Sequence, residues 1–454
     1  MKLKRKKVLV VGLGRTGEAV CDFLLHQGAH VKVSEKKTKE ELGEKYQVWT
    51  QRGISIETGM HNLQSFLEAD LIIPSPGVPI IPELTEAKAR GIQVISEIEL
   101  AYRFLKGKIV GITGSNGKST TTTLTHKILK EGGKDSYLAG NIGTPLISFV
   151  KNSKPQHIYV TEISSFQLEY IHMFKADISI VLNITPDHLD WHLSFDDYYT
   201  AKKKLILSQG QNDISILNKD DPLVWSLHKD KKENVYAFSR IDKVSKGLFI
   251  KDDWIILAGE PEEKFMKTSE IPLLGPHNQE NIMASALVAH VLGIPLSKVK
   301  KSIQTFEGLE HRLEKTLSIN GIEFYNDSKA TNVDATLKSI QSFKNKIVLI
   351  LGGRDKGGDF TKLRVPIKEK TRAVILLGEA TEKIKKELKN TVPLHCVSSV
   401  KEAVDTGYSL AKPGEIVLLA PACTSFDMFQ NFEERGRSFK QEVWNLKERT
   451  GKRK

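Results

Sequence analysis

The apolar positions of this chain fall in short unbroken runs rather than in long helical stripes. Lys7-Val-Leu-Val-Val-Gly12, Val31–Glu35, Asp70–Pro74 and Gln93–Ile95 each read as a buried strand. The segment Glu18–Gln27 between the first two runs reads as a helix. A second series starts near residue 97. Its strand Lys108–Thr113 leads into a helix over Lys118–Lys130 that ends at Gly132-Gly133, and strands follow at His157–Thr161 and Ile178–Leu182. A third series starts near Gly308, with strands at Lys346–Leu351, Ala373–Leu377 and Ile416–Ala420. Buried runs alternating with helices predict α/β architecture with parallel sheets.

Length supports more than one such unit. At roughly 150 residues per domain, 454 residues predict about three domains. Lys and Arg number 67 against 55 Asp and Glu, a net charge of +12, with a pI near 9.2. The excess is spread along the chain, at Lys202–Lys204, Lys298–Lys301, Lys383–Lys389 and both ends. No aromatic residues are interleaved with it, so it reads as solvated surface more than as a nucleic-acid face. The basic start, Met1–Lys7, is followed by an apolar run of only Val8–Val11, too short for a signal peptide. No run approaches the ~18 apolar residues of a membrane span. Three scattered cysteines, Cys21, Cys396 and Cys423, exclude a disulfide framework and a zinc cage and suit a reducing cytoplasm.

Two glycine-rich loops follow predicted strands. Gly12-Leu-Gly-Arg-Thr-Gly17, with Glu35 after the second strand, matches a dinucleotide fingerprint and taken alone suggests NAD. Any diphosphate can use the same exposed backbone N–H groups. Gly111-Ile-Thr-Gly114-Ser-Asn-Gly117-Lys118-Ser119-Thr120 is the sharper signal. It ends as a P-loop does, although its glycine spacing is one residue longer than the common form. Backbone N–H groups there wrap phosphates, Lys118 neutralises them, and Ser119 is positioned to ligate Mg²⁺.

Further candidates lie at strand ends. Glu162, in Thr161-Glu162-Ile-Ser-Ser165, is a candidate metal ligand. His188, in Asn183-Ile-Thr-Pro-Asp187-His188-Leu-Asp190, is a candidate ligand or acid–base group. Lys202 by itself reads as a surface lysine. The third series carries three polar loops, around Asp327–Asn332, Gly352–Lys356 and Ala420–Phe426, whose convergence suggests a second substrate site.

Taken in order, these motifs resemble the Mur ligases and the related folylpolyglutamate synthases. The resemblance rests on Gly111–Thr120, Glu162–Gln167, Asn183–Asp190, Tyr198 to Lys202, Gly275-Pro-His-Asn278 with Asn281, and His311-Arg312-Leu-Glu314. Asp327–Asn332 and Ala420-Pro-Ala-Cys423 are similar to the branch that adds D-glutamate. The resemblance covers essentially the whole chain.

It implies an ATP-dependent amide-forming ligase of peptidoglycan precursor synthesis, adding D-glutamate to UDP-N-acetylmuramoyl-L-alanine through an acyl phosphate. It implies three α/β domains: a Rossmann-like UDP-sugar domain over 1–96, a central P-loop ATPase-type parallel-sheet domain over 97–307, and a Rossmann-like amino-acid domain over 308–454. It reassigns the first loop from NAD to the uridine diphosphate, with Gly14, Thr16, Glu35, Lys36, Ser75, Gly77, Asn141 and Gly143 as UDP-sugar contacts. ATP would meet Gly114, Asn116, Gly117, Lys118, Ser119, Thr120, Asn278, Asn281, Arg312 and Asp327. D-Glutamate would meet Thr331, Lys356, Ser425, Phe426 and Phe432. Two Mg²⁺ ions would be held by Ser119, Glu162, His188 and Lys202, the last as a carbamate formed with CO₂. Lys118, His188 and Lys202 would be catalytic. A cytoplasmic monomer acting on small molecules is implied, without nucleic acid or membrane insertion. Another Mur ligase or a folylpolyglutamate synthase is the alternative within the class. A NAD-dependent oxidoreductase and a nucleic-acid-stimulated P-loop ATPase are the alternatives outside it.

Overall fold

The computed structural model describes residues 1–188, 191–230 and 234–451. It contains three sheets, each with a parallel core. The first is built from β1 (Lys7–Val11), β2 (His30–Glu35), β3 (Ser55–Thr58), β4 (Leu71–Pro74) and β5 (Gln93–Val94), in the spatial order β3-β2-β1-β4-β5. All its pairings are parallel. Four of the five β1 residues are buried, as a strand covered on both faces requires.

The second sheet comprises β6 (Lys108–Thr113), β7 (Ser136–Gly140), β8 (Ile158–Glu162), β9 (Ile178–Val181), β10 (Ile214–Asn218), β11 (Val235–Ser239), β12 (Gly247–Lys251), β13 (Trp254–Leu257) and β14 (Glu263–Lys267). Their order is β14-β13-β12-β11-β10-β9-β6-β8-β7. The sheet is parallel from β7 through β12 and antiparallel where β13 and β14 are added. The third sheet is β15 (Glu314–Ile319), β16 (Ile322–Asn326), β17 (Ile347–Gly352), β18 (Thr371–Leu377), β19 (Leu394–Cys396) and β20 (Ile416–Leu419), in the order β15-β16-β20-β17-β18-β19. Only β15 runs antiparallel to its neighbour in this sheet.

The chain forms two compact units. The first takes in Met1–Ile184, Trp191–Lys267 and Glu280–Ile303, hence the first two sheets. The second takes in Thr185–Asp190, Thr268–Gln279 and Gln304–Lys454, hence the third sheet. Within the first unit the largest hydrophobic cluster takes in residues around both sheets. Val10, Leu24 and Ile98 share it with Leu146, Tyr159 and Leu205.

In the first sheet β1 lies between β2 and β4, and in the second β6 lies between β9 and β8. The connections leaving the adjacent strands β1 and β4, and likewise β6 and β9, run to opposite sides, which opens a crevice at their carboxyl ends where ligands bind in open α/β sheets. Both glycine loops sit there. The helix Lys118–Glu131 that follows the second loop is rich in threonine, and Thr120, Thr121, Thr122 and Thr125 are all buried. Thr121 Oγ1 donates to Asn281 Oδ1 at 3.1 Å, and Thr122 Oγ1 donates to the Lys118 carbonyl at 2.8 Å.

Candidate functional site

The P-loop of the first unit needs its glycines. Gly117 has φ +85, and a Cβ there would lie 2.4 Å from Asn281 Oδ1. Gly114 has φ +154. The loop is clamped from the end of β9, where Asn183 Oδ1 accepts the Asn116 N–H at 2.8 Å and Asn183 Nδ2 donates to the Asn116 carbonyl at 3.1 Å. Ser115 Oγ and Tyr198 Oη share a hydrogen bond of 2.8 Å. Lys118 Nζ donates to the Gly114 and Ser115 carbonyls at 2.8 and 2.9 Å. Ser119 and Thr120 are buried at the start of the helix.

Lys202 is not a surface lysine. It is 1 % exposed, whereas its neighbours Lys203 and Lys204 turn outward to ion pairs with Asp230 and Glu169. Its position on the helix Phe195–Leu207 puts it on the inner face with Tyr198, Ala201 and Leu205. Lys202 Nζ donates to the Gly114 carbonyl at 2.9 Å and to Thr113 Oγ1 at 3.4 Å, and lies 4.7 Å from the centre of the Tyr198 ring.

Glu162 ends β8 and pairs in register with Ile112 of β6, so it stands beside the root of the P-loop. It is 2 % exposed. Its Oε1 accepts from Asn141 Nδ2 at 2.8 Å, whereas Oε2 is buried without a hydrogen-bond partner among the described residues. A carboxylate oxygen in that state is costly unless a cation meets it, and a hard divalent ion takes oxygen ligands of this kind. Glu162 therefore fits a magnesium ligand.

The first glycine loop is held by its own side chains. Ser75 Oγ donates to the Gly12 carbonyl at 2.9 Å, and a Cβ on Gly17 would lie 2.1 Å from the same oxygen. Glu35 is buried; its Oε2 accepts the Leu13 N–H at 2.6 Å and its Oε1 the Lys37 N–H at 3.0 Å. Gly14, Lys36, Gly77, Asn141 and Gly143 are exposed, and Thr16 is half-buried. Arg15 Nη2 reaches the Asn141 carbonyl at 3.4 Å, which brings Asn141 to the first loop.

The second unit contains a cavity of about 360 Å³, where Asp187, His188, Thr331, Asn332 and Lys356 line the wall together with Val333 and Leu337. Lys356 Nζ and Asp187 Oδ1 are 3.3 Å apart, and Asn332 Nδ2 donates to Asp187 Oδ2 at 3.1 Å. His188 takes the left-handed conformation, φ +55, with Nε2 3.6 Å from Asp187 Oδ2. Ser425 is buried in the loop that follows β20, whereas Phe426 is 60 % exposed. Phe432 carries the Lys329 ammonium 3.7 Å from its ring centre. Asp327 is buried and bonded to the Ser339 hydroxyl, and burial pushes its carboxyl up to about 6. The nearby Arg312 charge pulls the other way. Asn278 Nδ2 donates to the Leu274 carbonyl at 2.7 Å.

Three family models match in register with these features: a MurD-like N-terminal domain over residues 6–96, a Mur ligase middle domain over 112–289, and a Mur ligase glutamate ligase domain over 311–423. The chain is 43% identical to the UDP-N-acetylmuramoylalanine--D-glutamate ligase of Koribacter versatilis, with all of both chains aligned. The chain belongs to the Mur ligase family. The ligase of the same name from Caldanaerobacter subterraneus is 41% identical over 98% of this chain and 100% of its own. Among solved structures, UDP-N-acetylmuramate-alanine ligase from Thermotoga maritima matches with a TM-score of 0.61 at 20% identity, covering 97% of this Mur ligase and 100% of that chain. A Thermotoga maritima MurF ligase in complex with ADP matches at 0.58 and 15% identity, covering 98% and 96%. These two likenesses show a shared fold.

Several contacts of this Mur ligase escape a reading of the sequence. Tyr198 is bonded to Ser115, and Asn183 clamps Asn116; both residues belong to motifs seen in the sequence, but these contacts with the P-loop were not among the roles those motifs implied. Asp187 is the carboxylate partner of Lys356. Leu189 and Asp190, which complete the Asn183 motif, lie outside the described residues. Among the described residues no helix is long and apolar enough to cross a membrane.

Proposed function

We propose that this Mur ligase joins D-glutamate to UDP-N-acetylmuramoyl-L-alanine at the expense of ATP, in peptidoglycan precursor synthesis. The observation that carries the reading is end-to-end similarity to ligases of that name at 40–44% identity. The division of labour follows the sequence expectation: residues 1–96 for the UDP-sugar, 97–307 for ATP and 308–454 for the amino acid.

Condensing a free carboxylate with an amine is unfavourable in water, so the carboxylate is first activated. The L-alanyl carboxylate attacks the γ-phosphorus of ATP, ADP leaves, and an acyl phosphate forms. The amine of D-glutamate then attacks the acyl carbon, and the tetrahedral intermediate collapses to amide and phosphate. In the first unit, backbone N–H groups from Gly114 to Thr120 cradle the phosphates and the Lys118 ammonium offsets the charge of the transferring group. Asn116, held by Asn183, keeps the loop in shape for this. Asn281 rests against Gly117 and completes the wall of the loop.

Magnesium, when bound, neutralises phosphoryl oxygens. Ser119 and Glu162 would hold it, and the bare Oε2 of Glu162 supports that role. Lys202 would act as a carbamate, formed when its neutral amine adds to CO₂ and releases a proton. The amine nitrogen now donates to the Gly114 carbonyl, and the carbamate keeps one N–H there while its two oxygens would offer an anionic ligand to a divalent cation. His188 is assigned to metal binding or to taking the amine proton. In the second unit Lys356, Thr331, Ser425 and Phe432 would receive D-glutamate, with Lys356 matched to one of its carboxylates. Phe426, being exposed, contributes least to that pocket.

The test is ADP release with UDP-N-acetylmuramoyl-L-alanine and a panel of D- and L-amino acids. Turnover with D-glutamate is expected. Turnover only with another amino acid would overturn the assignment.

A further inference from the structure

Arg435 lies in the first turn of the helix Phe432–Gly451 and is 3 % exposed. A buried guanidinium ordinarily meets a carboxylate. Here every donor goes to an uncharged oxygen. Nε donates to Ser328 Oγ at 3.0 Å, and Nη2 donates to the carbonyls of Ser328 at 2.9 Å and Cys423 at 3.1 Å. Nη1 donates to the Thr424 carbonyl at 3.1 Å and reaches the Gly352 carbonyl at 3.5 Å. Burial pulls its pKa down to about 10, so it stays charged at neutral pH.

These acceptors belong to three different loops. Ser328 follows β16, Gly352 ends β17, and Cys423 and Thr424 follow β20. The three strands are adjacent in the order β16-β20-β17. The same loops carry Thr331, Lys356, Ser425 and Phe426, and Phe432 begins the helix that carries Arg435 itself. Two further contacts tighten the junction. Ser328 Oγ donates to the Phe432 carbonyl at 2.8 Å, and Arg354 and Thr424 exchange backbone hydrogen bonds of 3.0 Å. There is no slack near the guanidinium, since a Cβ on Gly353 would lie 3.0 Å from Arg435 Nη1.

We propose that Arg435 is a positioning residue for the amino-acid substrate, its guanidinium fixing the spacing of the three loops that receive D-glutamate. The inference rests on the D-glutamate reading of those loops. A planar fork with five N–H donors can serve carbonyls lying in several directions at once. Lysine keeps the charge but presents three donors from a single point, so it cannot span the same acceptors.

The experiment compares steady-state kinetics of the wild type and Arg435→Lys with each substrate varied in turn. KM for D-glutamate is expected to rise about tenfold, while KM for ATP and for the UDP-sugar moves less than about twofold. A purely structural role would reduce the amount of active enzyme and leave all three KM values in place. That result, or a common rise in all three, overturns the proposal. Should Arg435→Lys fail to fold, Ser328→Ala removes the Nε acceptor and the link to Phe432. An increase of about threefold in the D-glutamate KM then supports the proposal, and an unchanged value overturns it. A wild type silent toward D-glutamate would instead overturn the functional reading on which the inference rests.

Discussion

Lys118 and Lys202 donate to the same acceptor, the carbonyl oxygen of Gly114, at 2.8 and 2.9 Å. Two ammonium groups on one oxygen repel each other, more strongly in a buried setting than in water. Phosphate groups in the P-loop would lessen that repulsion, and conversion of Lys202 to a carbamate would remove one of the cations.

Replacing Lys202 by alanine is expected to lower turnover at least about a hundredfold at ambient bicarbonate, because an anionic ligand position is lost. Added small carboxylates such as formate or acetate should restore part of the rate. ADP release close to the wild-type rate without such additives would rule out the carbamate.

Lys118→Ala should abolish acyl-phosphate formation. With ATP and UDP-N-acetylmuramoyl-L-alanine alone, trapping the acyl phosphate with hydroxylamine is expected to fall by about two orders of magnitude or more, in line with loss of a group that offsets charge in the transition state. An undiminished yield of hydroxamate would contradict the assignment.

Gly117→Ala places a methyl group 2.4 Å from Asn281 Oδ1 at a position with φ +85. The left-handed conformation alone costs an L-residue roughly 1–2 kcal/mol. KM for ATP should rise about tenfold or more, since about 1.4 kcal/mol is a factor of ten. ATP saturation curves decide the matter, and coincident curves would mean that the loop relaxes freely.

Glu97 predicts a pH effect on stability. It is buried, accepts the Ile147 N–H at 2.7 Å, and burial raises its carboxyl to about 7 against an ordinary 4.5. Between those values the unfolded chain loses the proton while the folded protein keeps it. The stability from this group is therefore complete below about pH 4.5 and is lost as pH rises through about 7, by up to about 3 kcal/mol at about 1.4 kcal/mol per unit. Glu97→Gln does not titrate, so its denaturation midpoint should gain on the wild type between pH 5 and pH 8. A constant difference across that range would show that Glu97 is ionised in the folded protein.

The two glycine-rich loops were the most legible part of the sequence, for a physical reason. Gly114 and Gly117 adopt positive φ, and such backbone leaves a glycine signature wherever it occurs. Buried parallel strands such as β1 and β17 were equally plain, because they are apolar on both faces. The hairpin of β12 and β13 was not read, although Asp252 and Asp253, both at positive φ between two apolar runs, are the residues such a turn requires. The burial of Lys202 could not be read from a run of three lysines, since it depends on which helix face meets the sheet. Arg435 left no trace either, because its partners are backbone carbonyls contributed by distant loops, and a carbonyl has no letter in the sequence.

The threonines of the helix Lys118–Glu131 carry a consequence for the order in which this protein matures. Branching at Cβ lowers helix propensity, so a helix with four buried threonines depends on tertiary packing. One partner, Asn281, arrives late in the chain, and the same side chain rests against Gly117. During synthesis the nucleotide loop therefore reaches its final shape only after residue 281 has left the ribosome. A nascent chain stopped before that point would hold the full P-loop motif and still be a poor receptor for ATP.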